Sequence, residues 1–214
     1  VQVPFVLAAL LLNCDVILHE ANAVIGRANK LFWRKAKYRV SAYNLKENLN
    51  NTINMGMPVR KEILKLHKKK YSIPINDINI LILGGSLGSS ILSHKISKCI
   101  TSLPFQVKKK LNVVHQVKAS ELSTVKETYS QSNIKHKVFV FINDISYYLS
   151  KATLVISRAG ASTVAENSIA GVPAIYFPLP KSIGNHQYFN ALELKEKKAA
   201  WIFEENSITN GKFV

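Results

Sequence analysis

Two glycine-containing turns hold the residues with the clearest chemical use. Gly84-Gly85-Ser86-Leu87-Gly88 follows the apolar run Ile78–Leu83 and precedes an amphipathic stretch. Glycines let a backbone approach a phosphate closely. The N–H groups of a helix start carry the positive end of the helix dipole, and Ser86 adds a hydroxyl donor. The segment has no P-loop lysine and does not complete G-x-G-x-x-G. No acidic residue stands about 20 positions on to hold a dinucleotide's ribose. A plain strand-to-helix turn is the alternative use. The second turn is Arg158-Ala159-Gly160-Ala161-Ser162-Thr163-Val164-Ala165-Glu166. Its backbone from Ala159 to Thr163 could face a ligand while Glu166 accepts ribose hydroxyls. Equally, Thr163-x-x-Glu166 matches a capping box, with Glu166 folded back onto the Thr163 backbone.

Two further polar clusters sit beside apolar runs. Gly184-Asn185-His186-Gln187-Tyr188-Phe189-Asn190-Ala191 follows Phe177-Pro178-Leu179-Pro180 and could read sugar hydroxyls or simply cap a helix. His19-Glu20-Ala21-Asn22 could be an acid–base pair or a hydrogen-bonded corner. His115 reads as a strand-end residue. Cys14 and Cys99 lie far apart and match no metal-ligand spacing, so no metal site is expected and a reducing compartment fits.

The elements that must position these groups follow from periodicity. Helices are predicted over Val3–Leu12, Gly26–Lys37, Lys61–Lys70, Ser89–Ile100, Glu121–Ser130, Ile145–Ser150, Thr163–Ala170 and His186–Lys197. Strands are predicted over Asp15–His19, Lys37–Ala42, Ile78–Leu83, Leu111–Gln116, Lys137–Ile142, Leu154–Ser157, Ala174–Phe177 and Ala200–Phe203. Leu45–Asn54 reads as a polar loop, and Met55–Arg60 as a turn or linker. From Ile78 onward strands and helices alternate, which predicts an α/β fold with a doubly wound parallel sheet. Ligands of such sheets sit at the carboxyl ends of the strands, where both glycine turns fall.

Composition narrows the classes. Lys and Arg number 29 against 13 Asp and Glu, a formal charge of +16, yet 24 of the 29 are Lys. Readers of nucleic-acid sequence favour Arg for bidentate contacts, and the Lys clusters are not interleaved with aromatics. No specific nucleic acid is therefore expected; solvated Lys-rich faces or an anionic membrane surface fit better. The longest apolar run, Val3–Leu12, is too short to cross a bilayer. The chain opens at Val1 directly into that run, with no capping sequence, as a piece whose earlier part lies elsewhere would.

Taken in order, HEAN (19–22), GMPVR (56–60), LGGSLG (83–88), HQ (115–116), FINDI (141–145), RAGASTVAE (158–166), AGVPAIYFPLP (170–180) and HQYFNA (186–191) resemble the MurG family of UDP-N-acetylglucosamine transferases. The resemblance implies a GT-B fold, two Rossmann-like domains with a cleft between them. Residues 1–58 would be the end of a truncated N-terminal domain. Residues 59–214 would be most of the C-terminal nucleotide-sugar domain, incomplete at its end. It implies inverting, metal-independent transfer of N-acetylglucosamine from UDP-N-acetylglucosamine to lipid-linked N-acetylmuramyl-pentapeptide, in peptidoglycan synthesis that serves cell shape and division. No cofactor is implied. The place of action would be peripheral, on the cytoplasmic face of the bacterial inner membrane. By motif position, Asn22, Arg60, Ser86, Ile142, Ala161, Ser162, Thr163, Val164, Ala165, Glu166, Gln187 and Asn190 would line the donor site. Ile142 would sit by the uracil and Glu166 on the ribose. Gly84, Gly85 and Ser86 would meet the diphosphate, and Gln187 and Asn190 the sugar. The family usually carries Gln at the places of Ala21, Leu87 and His186, and Ser at those of Ala159 and Ala165. The family's N-terminal glycine-rich loop, with its proposed base, has no counterpart, so no catalytic base is assigned. The alternatives are another UDP-sugar GT-B enzyme (a glycolipid transferase or an epimerase) and a non-catalytic or decayed UDP-sugar-binding fragment.

Overall fold

The computed structural model describes residues 2–47, 49–68, 70–84, 90–180 and 182–208, with residues 68 and 91 described by their backbone alone. The first unit runs α1 (Gln2–Leu11), β1 (Ile17–Glu20), α2 (Arg27–Phe32), β2 (Tyr38–Ser41) and β3 (Ile53–Asn54). Its three strands pair in parallel in the order β1-β2-β3. The predicted helix over Gly26–Lys37 is shorter than expected. It ends at Phe32 and tightens into a 3₁₀ turn over Trp33–Lys35. The tighter turn accompanies burial of consecutive Phe32 and Trp33 and of Ala36 in one apolar cluster with Val6, Val16 and Leu18.

After the linker comes α3 (Lys61–Leu64), again followed by a 3₁₀ turn, over Lys65–Lys68, where a longer helix was predicted. The second unit continues β4 (Ile78–Leu83), α4 (Ser90–Thr101), α5 (Phe105–Lys108), β5 (Leu111–Gln116), α6 (Leu122–Gln131), β6 (Lys135–Phe139), α7 (Ile145–Lys151), β7 (Leu154–Ser157), α8 (Ala161–Ala170), β8 (Ala174–Tyr176), α9 (His186–Glu196) and β9 (Ala200–Ile202). Among the described residues these strands form one parallel sheet in the order β6-β5-β4-β7-β8-β9. Two halves wind outward from β4 and β7, and the crevice where the order reverses lies between those two strands.

The pleat divides the core. Ile80 and Ile82 of β4 pack with Leu92 and Ile96 of α4 and Val125 and Tyr129 of α6 on one face. Leu81, Val155 and Tyr176 pack with Ile63, Leu149, Val164 and Ala191 on the other. Successive strand side chains alternate between faces, so burial on both produces the continuous apolar runs of the sequence. Two predicted strands are displaced: β1 runs Ile17–Glu20 where Asp15–His19 is expected, and β6 shifts further. Lys137–Ile142 was expected, whereas β6 starts at Lys135, paired with Asn112, and ends at Phe139. The apolar run outlasts the ladder, so Val140 and Phe141 turn out to solvent while Ile142 turns back into the core. The short α5, opened by Pro104, was not predicted.

His115 of β5 is fully buried, with Nδ1 against the Tyr129 hydroxyl at 3.0 Å. Burial pushes its pKa down to about 3, against an opposing pull from Glu121 and with a further push down from His94. The unfolded chain then binds the extra proton between about pH 6.5 and 3, so stability is lost as pH falls through that window. His115→Asn keeps an acceptor near Nδ1 but cannot titrate. Urea unfolding from pH 6 to 4 should show a shallower loss in the variant, by up to about 1.4 kcal/mol per pH unit. Parallel curves would assign the acid sensitivity to other groups.

Candidate functional site

The switch point brings Gly84 and Arg158, the first residues of the two turns, side by side. Leu83 pairs with Ser157 at the carboxyl ends of β4 and β7, so Gly84 and Arg158 leave the sheet as neighbours. Gly84 is buried; Gly85 and Ser86, with the rest of the turn through Ser89, lie outside the described residues. Arg158 straps the neighbouring strand ends together. Its Nη1 donates to the carbonyls of Phe177 (3.2 Å) and Pro178 (3.3 Å), and its Nη2 pairs with Glu205.

Gly160 caps α8 with extended backbone and no side-chain cap. The N–H groups of Ala161, Ser162 and Thr163 therefore open the helix without intrahelical acceptors, a ready anion-facing group at the crevice. Thr163 lies inside the first turn of α8, which rules out the capping-box reading. The local pattern fits, but the helix starts two residues earlier. Val164 sends its side chain into the core, leaving only its backbone to a ligand, whereas Ser162 is exposed and Ala161, Thr163 and Ala165 are half-buried.

Glu166 meets Arg60. The guanidinium donates Nε to Oε1 at 2.9 Å and Nη2 to Oε2 at 2.7 Å, a bidentate pair across 106 residues of sequence. Arg60 ends the linker just before α3, whose buried Ile63 packs in the same cluster as Ile142 and Val164. Arg60, Ile142 and Glu166, named separately from sequence, thus surround one part of the molecule. Ile142 itself is buried, so its backbone is what it offers a base; the exposed neighbour is Phe141, at 70%. The sequence carried one signal for Phe141, an aromatic in an apolar run longer than its strand.

The polar clusters resolve differently. Glu20 is buried and its carboxylate accepts from Asn22 N, Gly26 N and Asn29 Nδ2 at 2.8–3.0 Å. His19 points to the carbonyl of Gly56 at 3.3 Å. The hydrogen-bonded corner, not the acid–base pair, is what HEAN builds. Asn190 was expected at a sugar but is 1% exposed. Its Oδ1 accepts from Ala23 N (2.8 Å), and its Nδ2 donates to Asn22 Oδ1 (3.1 Å) and Ala159 O (3.2 Å). It joins the first unit to the second turn and has no surface left for a ligand. Gln187 is half-buried and accepts from Leu179 N at 2.8 Å. It stands beside a cavity of about 470 Å³ between Pro178–Pro180 and Glu204–Asn206. Tyr43 was not singled out from sequence; its hydroxyl donates to Ala161 O at 2.6 Å, and burial raises its pKa. A tyrosine in a polar loop after a strand was the only available signal.

Among the described residues no group of three or more His, Cys, Asp or Glu is placed to hold a metal. None of their helices is long and apolar enough to cross a membrane. A cavity of about 350 Å³ lined by Asn79, Asn112, Lys137, Tyr148 and Lys151 opens at the other, amino-terminal ends of the strands, away from Gly84 and Arg158.

The family described as "Glycosyltransferase family 28 C-terminal domain" matches residues 79–214. A UDP-N-acetylglucosamine--N-acetylmuramyl-(pentapeptide) pyrophosphoryl-undecaprenol N-acetylglucosamine transferase of Rickettsia canadensis is 38% identical over 214 residues, covering 96% of this chain and 60% of its own length. The transferase of the same name from Granulibacter bethesdensis is 37% identical over 202 residues, 92% of this chain and 53% of its own. The crystal structure of Acinetobacter baumannii MurG superposes with a TM-score of 0.77 at 32% identity, over 95% of this chain and 57% of that one. The chain thus spans between about half and 60% of the length of these relatives. A solved structure from Listeria monocytogenes shares the fold at a TM-score of 0.62 and 14% identity.

Proposed function

The chain belongs to the glycosyltransferase family 28 C-terminal domain family, and from that premise we propose that it carries the donor half of a UDP-N-acetylglucosamine transferase. The acceptor in this reading is lipid-linked N-acetylmuramyl-pentapeptide, as in the names of its relatives. Residues 1–58 belong to the acceptor-side domain and residues 59–214 to the nucleotide-sugar domain. The single observation that carries the proposal is the reversal of strand order between β4 and β7. It sets Gly84, at the end of β4, beside the open start of α8, the helix that carries Glu166, and this supports the reading.

The roles follow from charge. Glu166 takes the ribose hydroxyls. The Gly84–Ser86 turn and the N–H groups of Ala161–Thr163 face the diphosphate, the backbone at Ile142 the base, and Gln187 the sugar. When the acceptor's 4-hydroxyl attacks the anomeric carbon and gives up its proton to a general base, the bond to the diphosphate breaks and negative charge collects on the leaving UDP. Fixed N–H dipoles aimed at that charge stabilise it without a metal. No described residue is assigned the base, since His19 is tied to Gly56 and His115 is buried and neutral. A charge of +16 and exposed Phe5, Leu7 and Leu11 on α1 support attraction to an anionic membrane surface at the cytoplasmic face.

Equilibrium dialysis with radiolabelled UDP-N-acetylglucosamine tests the proposal. Binding should be displaced by UDP, resist NAD, and be unchanged by EDTA. Displacement by NAD, loss with EDTA, or no retention at all would contradict it.

A further inference from the structure

Glu166 is already occupied by a competitor. Both carboxylate oxygens accept from the Arg60 guanidinium, in the side-by-side geometry that a vicinal diol would also use. The carboxylate is 13% exposed and the arginine 53%, so Arg60 covers Glu166 from the solvent side while α8 closes the other. A ribose cannot reach the pair of oxygens unless the guanidinium moves. The guanidinium can leave by rotation of its own side chain, which is 53% exposed, while the Arg60 backbone stays fixed as the N-cap of α3. We propose that Arg60 is an exchange residue that selects phosphorylated nucleosides over bare ones. The inference rests on the donor-site reading above, in which Glu166 takes the ribose.

The selection works by compensation. A bare nucleoside that takes Glu166 breaks the ion pair and leaves Arg60 without a counter-charge. A nucleoside diphosphate breaks the same pair but supplies two phosphate groups to the released guanidinium, which binds phosphate as readily as carboxylate. The competent fraction of sites is therefore reduced by the pair for both ligands, and only the diphosphate recovers the loss.

Calorimetric titration of the full chain with uridine and with UDP, at low and high salt, tests this. In Arg60→Ala uridine should bind about fivefold tighter and UDP about tenfold weaker than in wild type. Uridine is uncharged, so salt acts on its binding only through the protein; wild-type affinity for it should rise with salt, and that of Arg60→Ala should stay flat. Uridine binding seen only in the variant counts as the same result. Arg60→Lys keeps the charge without the fork and should give the uridine gain with a smaller UDP loss. Changes of like sign for the two ligands, or a salt-independent wild type, would overturn the exchange while leaving the donor site standing. A wild-type chain that binds neither ligand would overturn both.

Discussion

Glu166→Ala is expected to weaken UDP binding by about thirtyfold while leaving the fold nearly as stable as before. Two hydrogen bonds from ribose hydroxyls to a carboxylate are worth about 1.5 kcal/mol each at the low end. Release of Arg60 in the variant returns about 1 kcal/mol, since the pair no longer has to be broken. The net is about 2 kcal/mol, or roughly thirtyfold. Stability should change by under about 1 kcal/mol, because the pair's arginine is more than half exposed and screened by solvent. Calorimetry with UDP and a thermal melt of the same samples check both halves. An unchanged affinity with a lowered melting temperature would make Glu166 a structural clasp for the linker rather than a ribose acceptor.

Asn190→Leu should be strongly destabilising, and more so than Glu166→Ala. The substitution removes three hydrogen bonds at a site that water does not reach and leaves Ala23 N and Ala159 O buried without this partner. At about 1 kcal/mol per bond the cost is about 3 kcal/mol, and orphaned groups add to it. For a chain of this size that lowers the melting temperature by about 10 °C. The Asn190→Asp variant should not rescue it. Its Oδ1 still accepts from Ala23 N, but the second oxygen faces the acceptors Asn22 Oδ1 and Ala159 O, and a buried charge is added. The same experiment separates a clasp from a sugar contact. A sugar contact would lower affinity for UDP-N-acetylglucosamine relative to UDP and leave the melting temperature in place.

These two residues also mark how far the sequence could be read. Strands β4, β5 and β7 were legible to the residue because they are buried on both faces and bounded by polar or glycine residues. Their alternation with helices placed both glycine turns at strand ends. Arg60, Ile142 and Glu166 were legible as motif positions. What was not legible depends on partners far along the chain. Asn190 sits in a polar helix start that suits a sugar, and its burial rests on contacts with Asn22 and Ala23, 168 and 167 residues away. Thr163 and Glu166 satisfy a capping pattern, but the helix begins at Ala161, and Arg60, 106 residues away, takes the carboxylate instead. The end of β6 depends on pairing with β5, which stops at Gln116 opposite Phe139, and a run of apolar letters contains nothing about that register.

The proposed function stands or falls on place: a nucleoside diphosphate must bind where β4 and β7 diverge. An amide-resolved NMR titration of the isotopically labelled chain with UDP tests this directly. Saturable shifts are expected at the amides of Ala161–Glu166, Ile142 and Arg60, with Asn79, Asn112 and Lys151 at the opposite strand ends unmoved. Shifts centred on those three residues, or none at the start of α8, would contradict it.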